Sequence, residues 1–344
     1  MKTFVLNSFV IACIAGIPAA CLAQNTVKER LWEYWGQKET YLDHQADVIL
    51  GLVDETLLHN PSSPTPSAER QLALAALDAV VHDTRNDDSP QLHAFIDRRV
   101  ARLAKELDIP VKKGLRISKI YNDAFIVQSK SCTVGFDLCG TRKGMKIVPD
   151  SLMREIVSRC AMLFISHRDS DHADKNVVAM AAEMNIPVYS PEDYDNGQVI
   201  KIRTEDFGEQ PLKTASGTEI LVRALPGHQD KLQNNIYVVA FPEGQTVVHC
   251  GDQYKKEDLE WLRNASAKLS RRPDVLIIDC WAMEMKETIL GFNPKLVISG
   301  HEDEMGHSID HREAFWLTQY KLDEMTLPVP TVILAWGESF TVRK

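Results

Sequence analysis

The chain has 344 residues, 44% hydrophobic and 25% charged, with a formal net charge of −9. Such a balance supplies a sizeable core and excludes the poorly hydrophobic, highly charged class of disordered chains. The acidic charge also sets the whole-protein field against nucleic acid and anionic membrane surfaces, so no nucleic-acid partner is expected.

Residues 1–23, MKTFVLNSFVIACIAGIPAACLA, combine one lysine, an apolar stretch from Phe4 to Ile17 and small residues before Gln24. The pattern predicts a secretory signal peptide, too short to span a bilayer. Its removal would leave no transmembrane segment and place the protein in the periplasm or outside the cell. Five cysteines then remain, Cys132, Cys139, Cys160, Cys250 and Cys280. Five is odd, so at least one is unpaired in a monomer; Cys132 and Cys139 could pair across a hairpin or simply fill core space.

Residues 24–110 predict an all-α segment. Leu31, Trp35, Leu42, Ile49, Val53 and Leu57 keep a helical stripe until HNPSSPTPS, His59 to Ser67, breaks it. Ser67 caps a second helix with Leu72, Ala76, Ala79 and Val80 on one face, and a third carries Leu92, Phe95, Ile96, Val100, Leu103 and Leu107. With no catalytic cluster, the segment reads as a packing or lid module, accessory to any site further on.

Residues 111–344 predict an α/β domain. LRISKIY, AFIVQ and TVGFDL read as strands, Pro149 to Arg159 as a helix, AMLFIS as a strand and Val177 to Met184 as a helix. Further strands are expected at Val199–Ile202, Glu219–Ala224, Asn235–Phe241, Thr246–His249, Val275–Asp279, Leu296–Ser299 and Thr331–Ala335. Strands arriving in two batches predict two sheets sandwiched between helices.

The chemistry gathers where strands end. LFISHRDSDHAD, Leu163 to Asp174, places His167, Asp169, Asp171 and His172 after an apolar run; LPGHQD adds His228, VVHCGDQ adds Asp252 and LVISGH adds His301. Each of the last three follows a glycine, which lets backbone approach a site closely. Seven nitrogen and oxygen donors suit two metal ions with one carboxylate between them and positions left open for water.

These residues resemble the metallo-β-lactamase superfamily, whose signature is a His-x-His-x-Asp-His loop, then a glycine–histidine, a bridging aspartate and a final histidine. The resemblance implies an αββα four-layer sandwich, to which the N-terminal helices are an addition. It implies one ion on His167, Asp169 and His228, another on Asp171, His172 and His301, and Asp252 bridging them. Asp169 stands where most of the family has a second histidine. Its carboxylate makes the centre harder, favouring manganese or iron over zinc. Flavodiiron proteins, redox members of the superfamily, also carry a carboxylate in this loop.

The expected function is a binuclear metal-dependent hydrolase whose hydroxide, generated at the metals, attacks a small-molecule ester, amide, lactone or phosphodiester, with Asp171 or Asp252 accepting a proton. A diiron redox protein of the flavodiiron kind and a non-catalytic, metal-stabilised binding protein are the alternatives. His307 is a candidate second-shell or substrate contact, and Trp281 a candidate pocket wall or core residue.

Overall fold

The computed structural model describes residues 35–83, 89–204 and 208–343. Residues 1–23, where the signal peptide is expected, lie outside them. Among the described residues no helix is long and apolar enough to cross a membrane. The chain clusters into two compact units, residues 1–48 and 49–344. Helix α1 spans Lys38–His59.

The second unit continues with α2 (Ala68–Val81) and α3 (Pro90–Glu106). Ser67 caps α2 as its sequence predicts, its Oγ accepting the Arg70 N–H at 3.1 Å. Pro90 opens α3 at a position where a missing N–H costs nothing. Both helices bury an apolar face, Leu74, Leu77 and Val81 on α2 and Leu92, Phe95, Ile96 and Val100 on α3.

Two seven-stranded sheets follow. The first runs, in spatial order, β16 (Glu338–Val342), β1 (Leu115–Tyr121), β2 (Ala124–Gln128), β3 (Thr133–Phe136), β6 (Met162–Phe164), β7 (Val188–Ser190) and β8 (Ile200–Lys201). The second runs β15 (Thr331–Ile333), β14 (Val297–Gly300), β13 (Val275–Asp279), β12 (Thr246–His249), β11 (Leu232–Ala240), β10 (Glu219–Gln229) and β9 (Gln210–Lys213). A short hairpin, β4 (Thr141–Arg142) and β5 (Met145–Lys146), stands apart from both.

Alternation decides what the sheets bury between them. Leu115, Ile117, Phe125, Val127, Val134 and Phe136 come from one sheet, and Ile220, Val222, Tyr237, Val239, Val247, Ile277 and Ile298 from the other; they form one continuous core. These side chains recur at every second position, the period of a pleated strand. The intervening residues of β1 and β2 are buried as well, as expected when helices cover the outer face. On the first sheet α3 packs against β1 and β16, and α5 (Lys175–Glu183), with α4 (Asp150–Val157) beside it, against β7; on the second, α7 (Met285–Phe292), with α6 (Leu259–Leu262) beside it, packs against β13 and α8 (Phe315–Met325) against β15.

The strand bounds around His228 need correction. Glu219–Ala224 and Asn235–Phe241 are the ends of a longer hairpin: β10 runs through Pro226 and Gly227 to Gln229, and β11 begins at Leu232. The turn sits at Asp230, whose φ of 49° is the left-handed conformation a tight hairpin requires. Pro226–Gly227 resembles a turn in sequence, but here it is paired strand, so His228 lies inside β10, opposite Gln233. Of the two readings left open for Cys132 and Cys139, the structure has them filling core space and not bridged; all five described cysteines are free and buried.

Candidate metal centre

The parallel strands β3 and β6 of one sheet and β12, β13 and β14 of the other release their C-terminal loops at the same end of the sandwich. The loop after β6 carries His167 to His172, the loop after β12 carries Asp252, and His301 follows β14. Close approach of these loops depends on glycine. A Cβ at Gly251 (φ 53°) would lie 2.4 Å from the Asn234 Oδ1 and Ser166 Cβ atoms, and one at Gly300 would lie 2.0 Å from Asp123 Oδ1.

Asp171, His172, Asp252 and His301 are all buried, with candidate ligand atoms within 4.8 Å of one another. His172 Nε2 lies 3.2 Å from both Asp171 Oδ2 and Asp252 Oδ1, and 3.3 Å from His301 Nε2. The other Asp252 oxygen, Oδ2, faces away toward His167 Nε2 at 3.7 Å, and Asp169 Oδ2 lies 3.8 Å from the same nitrogen. Asp252 therefore presents one oxygen to each half of the expected donor set. Asp169 is the half-exposed member; its backbone carbonyl accepts the His172 and Ala173 N–H groups, which shapes the loop.

His228 stands at the rim, one third exposed and outside the tight group of four. Its Nδ1 lies 3.0 Å from Asp258 Oδ2, which leaves Nε2 as the available donor atom. Its carbonyl accepts the N–H groups of Tyr254 and Lys255, tying β10 to the loop that carries Asp252. Gln229 reinforces that tie, donating from Nε2 to Asp252 Oδ2 at 2.9 Å.

The other histidines are oriented in the same manner. His172 Nδ1 lies 2.8 Å from Asp137 Oδ2, and His167 Nδ1 lies 3.0 Å from Ser166 Oγ, which itself donates to Asp137. His301 Nδ1 faces Trp281 Nε1 at 3.3 Å and Glu304 Oε2 at 3.8 Å. Fixing one ring nitrogen aims the other, the arrangement outer-shell partners give to metal-binding histidines. Trp281 is half-buried, its ring edge-on to His301 and next to Tyr254. His307 Nε2 lies 3.0 Å from Glu304 Oε2 and 2.8 Å from Arg142 Nη2. Arg142, on the β4–β5 hairpin, pairs through Nη1 with Asp171 Oδ1 at 3.1 Å and also with Glu304.

Charge follows from these distances. Burial alone would raise the Asp171 and Asp252 carboxyls, but His172 and His301, helped by His167 at Asp252, hold both well below the usual carboxylate range. Burial alone would likewise lower His172 and His301, but Asp252 and Asp171 push both rings well above the ordinary histidine value. His167 goes the other way, held down by burial and by His172.

Divalent ions fit this donor set on two counts. The donors are imidazole and carboxylate, which suit zinc, manganese and iron. A buried donor atom, His167 Nε2, also has no hydrogen-bond partner among the described residues, although a buried polar atom ordinarily has one.

Neither a protein-family model nor a curated protein sequence matches the chain. Among solved structures, one from Veillonella parvula, described as a possible metal-dependent hydrolase, aligns with a TM-score of 0.50 at 14% identity over 67% of this chain and 100% of that one. The fold is that of the metallo-β-lactamase superfamily. Less closely similar are a protein of that superfamily from Thermotoga maritima (TM-score 0.36, 13% identity, 60% of this chain and 85% of that one) and the diiron β-hydroxylase CmlA from Streptomyces venezuelae (TM-score 0.48, 14% identity, 69% and 55%). In this metallo-β-lactamase fold the donor residues occupy the usual place for ligands in α/β sheets, beyond the carboxyl ends of the strands.

Asp137, Asp258, Ser166, Arg142 and Glu304 support the site and were not singled out in the sequence. Asp137 carried a signal, since it follows the strand TVGF at once, nearer than Asp252 lies to the end of β12. Arg142 and Glu304 carried none.

Proposed function

We propose that the protein is a binuclear metal-dependent hydrolase acting on a small-molecule ester, amide, lactone or phosphodiester. The observation that supports this reading best is the two-sided position of Asp252, with Oδ1 toward His172 and His301 and Oδ2 toward His167. His167, Asp169 and His228 would hold one ion, Asp171, His172 and His301 the other, and Asp252 both. When bound, the ions supply a Lewis acid for the substrate and make water acidic enough to deliver a nucleophile near neutral pH.

The chain's own residues do the rest. Asp137 and Asp258 keep the His172 and His228 rings turned, and Arg142 fixes Asp171 by occupying Oδ1. Trp281 and Tyr254 offer an apolar wall beside His301 against which a substrate can lie.

The wild-type protein, reconstituted with manganese, iron or zinc, is expected to bind about two ions per chain and to hydrolyse at least one member of an ester, lactone, amide and phosphodiester panel. A stoichiometry near zero with all three metals would end the reading. An iron form that consumes oxygen and reductant but hydrolyses nothing would replace it with diiron redox chemistry. Asp169→His refines the test. Exchanging a carboxylate for an imidazole should move relative affinity toward zinc and away from manganese while hydrolysis persists. Unchanged competition between the two metals would mean that Asp169 is not a ligand.

A further inference from the structure

The loop joining β14 to α8, residues 301–314, carries His301, Glu304 and His307, and its backbone is held in an unfavourable shape. His301 (φ 70°) and Asp303 (φ 54°) both lie in the left-handed region. Side-chain-bearing residues persist there only where the surroundings over-determine the conformation. Part of the restraint comes from the first sheet: the Met305 N–H donates to the Tyr121 hydroxyl at 2.6 Å, and the His301 N–H to the Asn122 carbonyl at 3.2 Å.

The far end of the loop is held by α2. Asp78, on its last turn, accepts the Phe315 N–H through Oδ1 and the Trp316 N–H through Oδ2, each at 3.0 Å. It thus caps α8 where the loop ends. His82, the residue that closes α2, presents Nε2 to the Arg312 carbonyl at 3.2 Å. The Arg312 guanidinium donates from Nη1 to the Val81 carbonyl at 2.8 Å and from Nε and Nη2 to the His307 carbonyl at 2.9 and 2.7 Å. From His307 the contacts continue through Arg142 to Asp171. The end of α2 thus connects by hydrogen bonds and ion pairs to two donors of the metal centre, His301 and Asp171.

We propose that α2 is a working part of the metal centre, with Asp78 as the positioning residue that holds loop 301–314 and thereby sets His301 and the His307–Arg142–Asp171 contacts. The inference rests on the metal-centre reading above. It departs from the sequence-based expectation of an accessory helical module. The same helix provides its own control, because Arg70 anchors α2 through Glu338 without touching the loop.

The test compares Asp78→Ala with Arg70→Ala in the full chain. In metal-free protein, hydrogen exchange at residues 302–316 should accelerate about tenfold or more in Asp78→Ala, as local opening becomes easier, and stay near wild type in Arg70→Ala. In manganese and zinc titrations Asp78→Ala should weaken one ion by about ten- to a hundredfold, the range seen when support of a ligand is lost, and keep the other; Arg70→Ala should keep both. Asp78→Asn, which retains one acceptor oxygen, should fall between. Wild-type exchange in Asp78→Ala, or equal weakening of the same ion by Arg70→Ala, would overturn the proposal. Should Asp78→Ala fail to fold, His82→Ala carries the same expectation at reduced size. If the wild type bound no metal, the metal-centre reading would fail, and the exchange measurement would still decide whether Asp78 holds the loop.

Discussion

Asp252→Ala is expected to lose both metal ions together, falling from about two per chain to near none, whereas His228→Ala should lose only one. The contrast follows from where the oxygens point. Asp252 Oδ1 sits 3.2 and 3.5 Å from the Nε2 atoms of His172 and His301, and Oδ2 sits 3.7 Å from that of His167. His228, held by Asp258 at the rim, belongs to one half only. Removing Asp252 takes away the one carboxylate that faces His167 on one side and His172 and His301 on the other, so both halves lose an oxygen donor at once. Replacing an outer-shell partner costs about ten- to a hundredfold in affinity, and loss of a shared ligand should exceed that for each ion. Hydrolysis should fall at least as far. The measurement is metal content after dialysis against a weak chelator, with circular dichroism to establish that the variant is folded. Retention of one firmly bound ion by Asp252→Ala would sink the bridging role.

Much of the scaffold was legible because it depends on local pattern. LRISKIY, AFIVQ and VLIID alternate or run apolar over strand length, and β1, β2 and β13 form there. Ser67 marked the start of α2 for the same reason: a cap acts within a few residues of itself. His228 was misplaced because Pro-Gly is a turn signal whose weight depends on partners, and β11 supplies a paired strand opposite it. The rule that collected the donors, a histidine or aspartate just past an apolar strand, also fits Asp137 after β3 and Asp279 at the end of β13. In the structure Asp137 lies behind His172, and Asp279 accepts the Trp281 N–H at 2.9 Å. Whether a strand-end carboxylate faces the centre or stands behind a donor depends on the register between loops, which no single segment encodes. Asp258 is 30 residues from His228 and meets it only through the strand order of the second sheet, while Glu304 is far from Arg142 in sequence and meets it only once the two sheets are stacked.

The helical layer is tied to the first sheet by charge as well as by apolar contact, and this tie sets the second large effect. Arg70 forks onto Glu338, Nη1 to Oε1 at 2.9 Å and Nη2 to Oε2 at 2.6 Å, and also donates to the Ile333 carbonyl at 2.9 Å. Arg99 reaches the same carboxylate at 3.2 Å, bonds the Trp336 carbonyl at 2.6 Å and pairs with Asp54 at 2.9 Å. Both guanidinium side chains are only 2% exposed, so neither has water to fall back on. Glu338→Ala would leave Arg70 buried with only the Asn60 and Ile333 carbonyls to accept from it, and Arg99 sharing Asp54 with Arg102. Breaking a buried ion pair from one side costs about 3–5 kcal/mol, enough to lower the melting temperature by roughly 5–15 °C in a domain of this size. The sign of the pH dependence follows from the same contacts. Burial alone would raise the Glu338 carboxyl, but Arg70 and Arg99 outweigh it and hold the group below its ordinary value. A carboxyl depressed by folding adds stability that is complete above its unfolded pKa of about 4.3 and disappears as pH falls through the lower folded value. The wild type should therefore lose stability from about pH 5 downward more steeply than Glu338→Ala, and the two melting temperatures should converge in acid. Parallel pH curves for the two proteins, or a neutral-pH melting temperature within about 2 °C of wild type, would show that the buried cluster does not hold the helices to the sheet.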